Sequence, residues 1–170
     1  MRGGRALLAA LLLGVVAAGC GGGEDGFPAL ASTEACAAPR LVAGDQPLLA
    51  FRSLVHSETQ RIEDLTNAFR LRYPNGTFYR RPEFRTDFAH YVNEAICIAA
   101  GLRKLEQPGL DYLPEDSNLN AMIEEFIQHT LMGREAVRTR NVSDYRAWNR
   151  GVEAKLEQVR AAATILTVPR

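Results

Sequence analysis

Three histidines, His56, His90 and His129, and a scatter of carboxylates are the side chains of this 170-residue chain with most scope for acid–base or metal chemistry. Glu58 and His129 stand out. Each falls near the middle of a stretch with helical apolar spacing, and on the apolar stripe itself. A carboxylate facing an imidazole at one level of a bundle would exchange protons, or help hold a metal or small ligand. Glu94 and Lys155 fall at the same level, flanking the stripes of two further helices. A plain structural use of such a pair is to fix helix register. The metal version lacks its spacing. A di-iron bundle uses two Glu-x-x-His pairs on separate helices, whereas the nearest approaches here are Asp87-x-x-His90 and Glu125 four residues before His129. There is no Cys-x-x-Cys-His for covalent haem, no Gly-x-Ser-x-Gly elbow and no glycine-rich phosphate loop. These motifs imply no metal and no cofactor, assign no catalytic residue, and point away from an enzyme.

A second constellation is built from arginine. Arg70, Arg72, Arg80, Arg81 and Arg85 are interleaved with Tyr73, Phe78, Tyr79 and Phe84, and a second run holds Arg134, Arg138, Arg140, Arg146 and Arg150. Guanidinium forks match phosphate and carboxylate, and aromatic faces add stacking surface. Helix dipoles already favour arginine in a last turn, which covers Arg70, Arg72, Arg138 and Arg140. Arg80, Arg81, Arg85, Arg140 and Arg146 are the expected partner-binding face for an anionic envelope component or a protein, provided the fold brings the two runs together.

The elements that would do so are helices. Leu48, Phe51, Val55, Glu58, Ile62, Leu65, Phe69 and Arg72 recur at steps of three and four, after Asp45 as cap and Pro47 in the first turn, and before Pro74 and Asn75-Gly76. Phe84, Phe88, Tyr91, Ala95, Ile98, Leu102 and Leu105 repeat the rhythm up to Pro108-Gly109. A third stripe runs from Leu119 to Val137 after a cap at Asp116 or Ser117, and a fourth from Tyr145 to Leu166 after Ser143. No stretch alternates with period two. The spacing predicts an all-α fold, an antiparallel up-down-up-down four-helix bundle over residues 44–170. In that topology the first and third connections share one basic pole. Asp111, Glu115 and Asp116 mark an acidic pole beside the incoming tether. Ile96, Ile127 and Leu131 lie outside the stripes, and would be exposed for self-association or for a structural role in a larger complex.

The first twenty residues have another purpose. Arg2 and Arg5 precede an unbroken run of small and apolar residues, Ala6–Ala18, and Ala17-Ala18-Gly19-Cys20 closes it. Positive start, greasy middle and small-residue exit make a secretory signal. The run is about 13 residues, short of the roughly 18–20 that span a bilayer. The exit resembles the lipobox of bacterial lipoproteins. That resemblance implies cleavage before Cys20, a diacylglyceryl thioether on its sulfur and an acyl chain on its new amino group. It implies a protein held in the bacterial cell envelope, lipid-anchored to a membrane and facing the periplasm or exterior. Gly21 after the cysteine resembles lipoproteins sent to the outer membrane of diderm bacteria. The chain then divides into a signal peptide at 1–19, a lipidated cysteine with a flexible tether at 20–43, and the bundle at 44–170.

The mature chain has 151 residues, enough for one domain with a real core. Without Arg2 and Arg5 it carries 18 basic and 20 acidic residues, so no global charge calls for nucleic acid. With Cys20 lipidated, Cys36 and Cys97 remain for one disulfide in an oxidising compartment. The reading is a lipid-anchored extracytoplasmic helical binding domain. The alternatives are a ligand- or metal-binding bundle centred on Glu58 and His129, and a structural subunit of an envelope complex. Intact-mass analysis of the protein extracted from host membranes should give a chain starting at Cys20 and carrying acyl groups. An unmodified amino terminus would remove the anchor.

Overall fold

The computed structural model describes residues 27–42, 44–74, 81, 83–105 and 118–165. Four helices, α1 (Pro47–Arg72), α2 (Glu83–Arg103), α3 (Asn118–Arg138) and α4 (Val142–Thr164), form a bundle, preceded by a 3-10 turn at Thr33–Ala35. No strand occurs among the described residues, and no helix among them is long and apolar enough to cross a membrane.

Helix starts differ from expectation at two places. α1 begins at Pro47 behind Gln46, which makes no side-chain cap, and Asp45 lies one residue too early to serve. Pro47 needs no cap for its own nitrogen, because it has no N–H to satisfy, and its ring presets a helical φ. α4 is capped by Asn141 rather than Ser143. The Asn141 side chain accepts from the Ser143 and Asp144 amides at 3.1 and 3.2 Å.

The core repeats the sequence stripes with one rotation. Along α1 the buried residues are Phe51, Val55, Thr59, Ile62, Thr66 and Phe69, so Thr59 and Thr66 occupy the inward positions expected for Glu58 and Leu65. The hydroxyls cost little there because each finds an acceptor within its own helix. Thr59 donates to the Val55 carbonyl at 2.9 Å and Thr66 to that of Ile62 at 2.8 Å. Thr130 in α3 does the same towards Phe126 at 2.9 Å.

Each helix packs on its sequence neighbours, and α1 also packs on α4. As α1 climbs through Arg61, Thr66 and Tyr73, its partners in α2 descend through Glu94, Tyr91 and Asp87. Thr59 and Arg70 of α1 meet Arg160 and Asn149 of α4 in the same opposed sense. Glu125 of α3 pairs with Lys155 of α4, and Gly133 further along α3 lies against Trp148. The ends of α1 and α3 therefore share a pole with the starts of α2 and α4.

The segment before α1 is not a free tether over its described part. Phe27 is buried, Asn93 of α2 bonds the Ala29 carbonyl and the Ala31 amide, and the Lys104 ammonium donates to the carbonyls of Thr33, Glu34 and Cys36. Cys36 and Cys97 form a disulfide with Cα atoms 5.1 Å apart, closing a 61-residue separation. On the chain-entropy model such a closure is worth about 4 kcal/mol. Gly101 admits the segment, since a Cβ there would lie 2.5 Å from the Ala37 carbonyl oxygen. Ile96 and Ile127, expected outside the stripes, are buried. Ile127 shares a hollow with Thr33 and Glu34, so the segment packs on the flank where exposure was expected.

Alkaline pH should expose the energetics of the core. Burial pushes the Tyr91 and Tyr145 phenols up from 10.0 to about 12. The fold favours the neutral phenol, so this stabilisation is intact below pH 10.0 and is lost as pH rises towards 12. Tyr91 alone accounts for roughly 2–3 kcal/mol of that loss. Tyr91→Phe should therefore unfold at higher pH than the parent chain when followed by circular dichroism. An identical alkaline midpoint would contradict the burial argument.

Candidate functional site

Glu58 and His129 do not meet. With Thr59 facing inward, Glu58 turns into the α1–α2 seam, 3.8 Å from Arg61, beside a groove of about 650 Å³ shared with Arg40, Asn93 and Glu94. His129 belongs to the α3–α4 seam. Its Nε2 lies 3.0 Å from the Trp148 carbonyl oxygen, and its ring occupies the space a side chain at Gly151 would fill. Glu94 bonds Arg61 at 2.9 Å and Lys155 bonds Glu125 at 2.6 Å, each in a separate seam. The mid-bundle layer is thus dispersed into seam contacts. No group of three His, Cys, Asp or Glu side chains among the described residues is placed to hold a metal.

The two arginine runs do converge. The reason lies in the rings beneath them. Phe69, Tyr73, Phe84, Phe88, Tyr91, Tyr145 and Trp148 form one continuous cluster drawn from α1, α2 and α4. Tyr73 at the end of α1 touches Phe84 at 5.0 Å between centroids, and Phe84 touches Tyr145 at 5.8 Å. These contacts pin the end of α1 and the start of α2 beside the start of α4. Aromatic pairs of this kind add roughly 0.5–1.5 kcal/mol each beyond the area they bury.

Above this floor the arginines divide by what they touch. Arg70 bonds Asn149 and Glu153, Arg72 bonds Asp87 at 2.8 Å, and Arg138 bonds Glu135 at 2.6 Å. The Arg138 hydrogen bond holds the Glu135 carboxyl below its ordinary range. Tyr73 donates to the same Asp87, which, after burial, is the second cause of its raised pKa. Arg85, expected in the partner-binding face, instead lies over the Phe27 ring at 5.3 Å. Arg134 covers the same ring at 5.0 Å and bonds the Pro28 carbonyl. Those two guanidiniums hold the incoming chain by cation–π contact.

Arg81, Arg140, Arg146 and Arg150 remain. All four are exposed, and none pairs with a carboxylate among the described residues. Arg81 leans over Tyr73 at 5.8 Å and reaches the Arg72 carbonyl at 3.4 Å. The Asn141 amide donates to the exposed Asp144 carboxylate at 2.7 Å. Arg80 and Cys20 lie outside the described residues, as do Asp111, Glu115 and Asp116. Arg150, one helical turn beyond Arg146 on the same face of α4, was visible in the sequence as part of the second run.

Arg140 stands on unusual backbone. Its φ is +59°, the left-handed region that favours glycine. Asn141 N–H bonds the Ala136 carbonyl at 2.8 Å and Arg140 N–H that of Val137 at 3.3 Å, the double bond pattern of a Schellman cap. An arginine at this position costs about 1–2 kcal/mol in backbone strain. Local strain of this sort is tolerated where the side chain has a use, which makes Arg140 a candidate functional residue rather than a structural one. Searches of family models, curated proteins and solved structures find no match to this chain, so the site rests on its own chemistry.

Arg140→Gly should raise stability by about 0.5–1 kcal/mol, the strain relieved less the greater freedom of glycine in the unfolded chain. In a domain of this size that is about 2–3 °C in Tm by calorimetry. A lowered Tm would show that the arginine side chain stabilises the cap.

Proposed function

We propose that this protein is a lipid-anchored, non-enzymatic helical domain of the bacterial envelope that engages an anionic partner through its arginine-rich pole. One observation carries the reading. Arg81, beside Tyr73, and Arg140, Arg146 and Arg150, at the start of α4, are exposed and pair with no carboxylate among the described residues, while the other described arginines of the pole are engaged in ion pairs or hold Phe27. Unpaired guanidiniums with fork geometry suit phosphate or carboxylate oxygens, and several in one place reinforce each other's field. Arg140 adds that the position is held at a cost to the backbone. The lipid anchor follows from the resemblance of the Ala17–Cys20 stretch to a lipobox. Two or more acyl chains on one residue give stable membrane attachment, which one chain does not.

The mature chain with Cys20→Ser should bind phosphate- and carboxylate-bearing polymers, with affinity that falls steeply as salt rises. Arg81→Gln, Arg146→Gln and Arg150→Gln together should abolish that binding. Arg103→Gln, which removes an arginine paired with Glu124 in the α2–α3 seam, should leave it intact. Equal binding by the triple variant and the parent chain would reduce the pole to ordinary solvated charge.

A further inference from the structure

The described body is entered at Phe27, and Phe27 sits at the arginine pole. It lies between Arg85, in the first turn of α2, and Arg134, in the last turn but one of α3. From there the chain runs away from the pole. It passes Asn93, then reaches Lys104 and Gly101 at the other end of α2, where Cys36 is bonded to Cys97. The sequence alone suggested a tether beside the acidic pole. The residues after Cys36 share a groove with Glu58 and Arg61 of α1, but the preceding stretch doubles back along α2 and α3 to the basic end.

From this path we infer that the anionic partner is the headgroup surface of the membrane carrying the anchor, and that the bundle stands on it with its arginine pole down. The inference rests on the lipid-anchored reading above. Only six residues separate Cys20 from Phe27. Fully extended, that chain spans at most about 25 Å. α1 alone, at 26 residues, is about 39 Å long. A lipid on Cys20 therefore keeps the arginine pole near the bilayer, while the opposite pole can rise well clear of it. Screening acts over roughly 10 Å at moderate salt, a separation the slack in six residues readily allows. Anionic headgroups offer phosphate oxygens to Arg81, Arg140, Arg146 and Arg150, which are exposed and form no ion pair with a carboxylate among the described residues. The anchor and the pole then act as two linked attachments, the first holding the second at high effective concentration.

Trp148 is the only tryptophan in the chain and lies in the aromatic floor of this pole, which makes it a built-in reporter. The lipidated mature protein would be reconstituted into vesicles of phosphatidylcholine alone, or with about one third phosphatidylglycerol. Both would carry a trace of dansyl-labelled headgroups. Energy transfer from Trp148 should be strong in the anionic vesicles, weak in the neutral ones, and reduced towards the neutral value by about 1 M salt. Throughout, flotation should show the protein still attached. Arg140→Gly, Arg146→Gln and Arg150→Gln together should match the neutral-vesicle transfer while floating normally. The first change relaxes the backbone and the other two are on an exposed helical face, so the fold is kept. For the Cys20→Ser chain, partitioning into anionic vesicles should fall on the order of a hundredfold with the same three changes. Transfer that is indifferent to lipid charge, or unchanged in the triple variant, overturns the inference. If polymer binding through the pole persists in that case, the partner is a polymer or protein and the broader proposal stands. If polymer binding is also indifferent to the arginines, both fail.

Discussion

The clamp on the segment before α1 is the constraint from which the rest of the molecule takes its direction. A disulfide joins Cys36 to α2 at one end of the bundle, and two guanidiniums lie over Phe27 at the other. Between them Asn93 and Lys104 satisfy the carbonyls and an amide of a stretch that has almost no regular structure of its own. Backbone polar groups laid against a protein surface need partners, and here α2 supplies most of them. A segment rich in Ala, Gly and Pro becomes a fixed strap in this way. The strap determines where a lipid anchor would leave the body.

The same pole carries a rigid interior. Seven aromatic rings hold the ends of α1, α2 and α4 at fixed spacing, and Tyr73 and Asp87 tie α1 to α2 at the rim. A packed aromatic cluster fixes the backbone from which Arg146 and Arg150 of α4 project, and a fixed backbone loses less entropy on binding than a mobile loop. Arg140 fits this picture. It sits on the turn between α3 and α4, where a glycine would relax the backbone, and its side chain is exposed. Stability and charge presentation are in conflict at that one residue, and the sequence keeps the charge.

Burial in the middle of the bundle follows a different rule from that implied by charge alone. Three threonines lie inside because a hydroxyl can return its hydrogen bond to its own helix. A glutamate has no such option and moves to a seam, where Arg61 meets it. His129 is accommodated by the missing side chain of Gly151 and by a contact with the Trp148 carbonyl oxygen. These are packing solutions, each local to one pair of helices.

Much of this was legible without coordinates. Stripes at steps of three and four specify four helices and nearly all of their inward residues, because helical period and burial are locked together over long stretches. The Cys36–Cys97 pairing and the meeting of the two arginine runs follow from topology once the helices are known. What the chain could not reveal alone was set by contacts between residues distant in sequence. The choice between Glu58 and Thr59, a little over a quarter turn apart on the helix, depends on hydrogen bonds within a packed core. Arg85 leaves the binding face because Phe27, 58 positions earlier, lies beneath it. The path of the strap, and with it the pole from which the tether departs, rests on Asn93, Lys104, Gly101 and Arg134, and no local propensity of residues 27–42 encodes it.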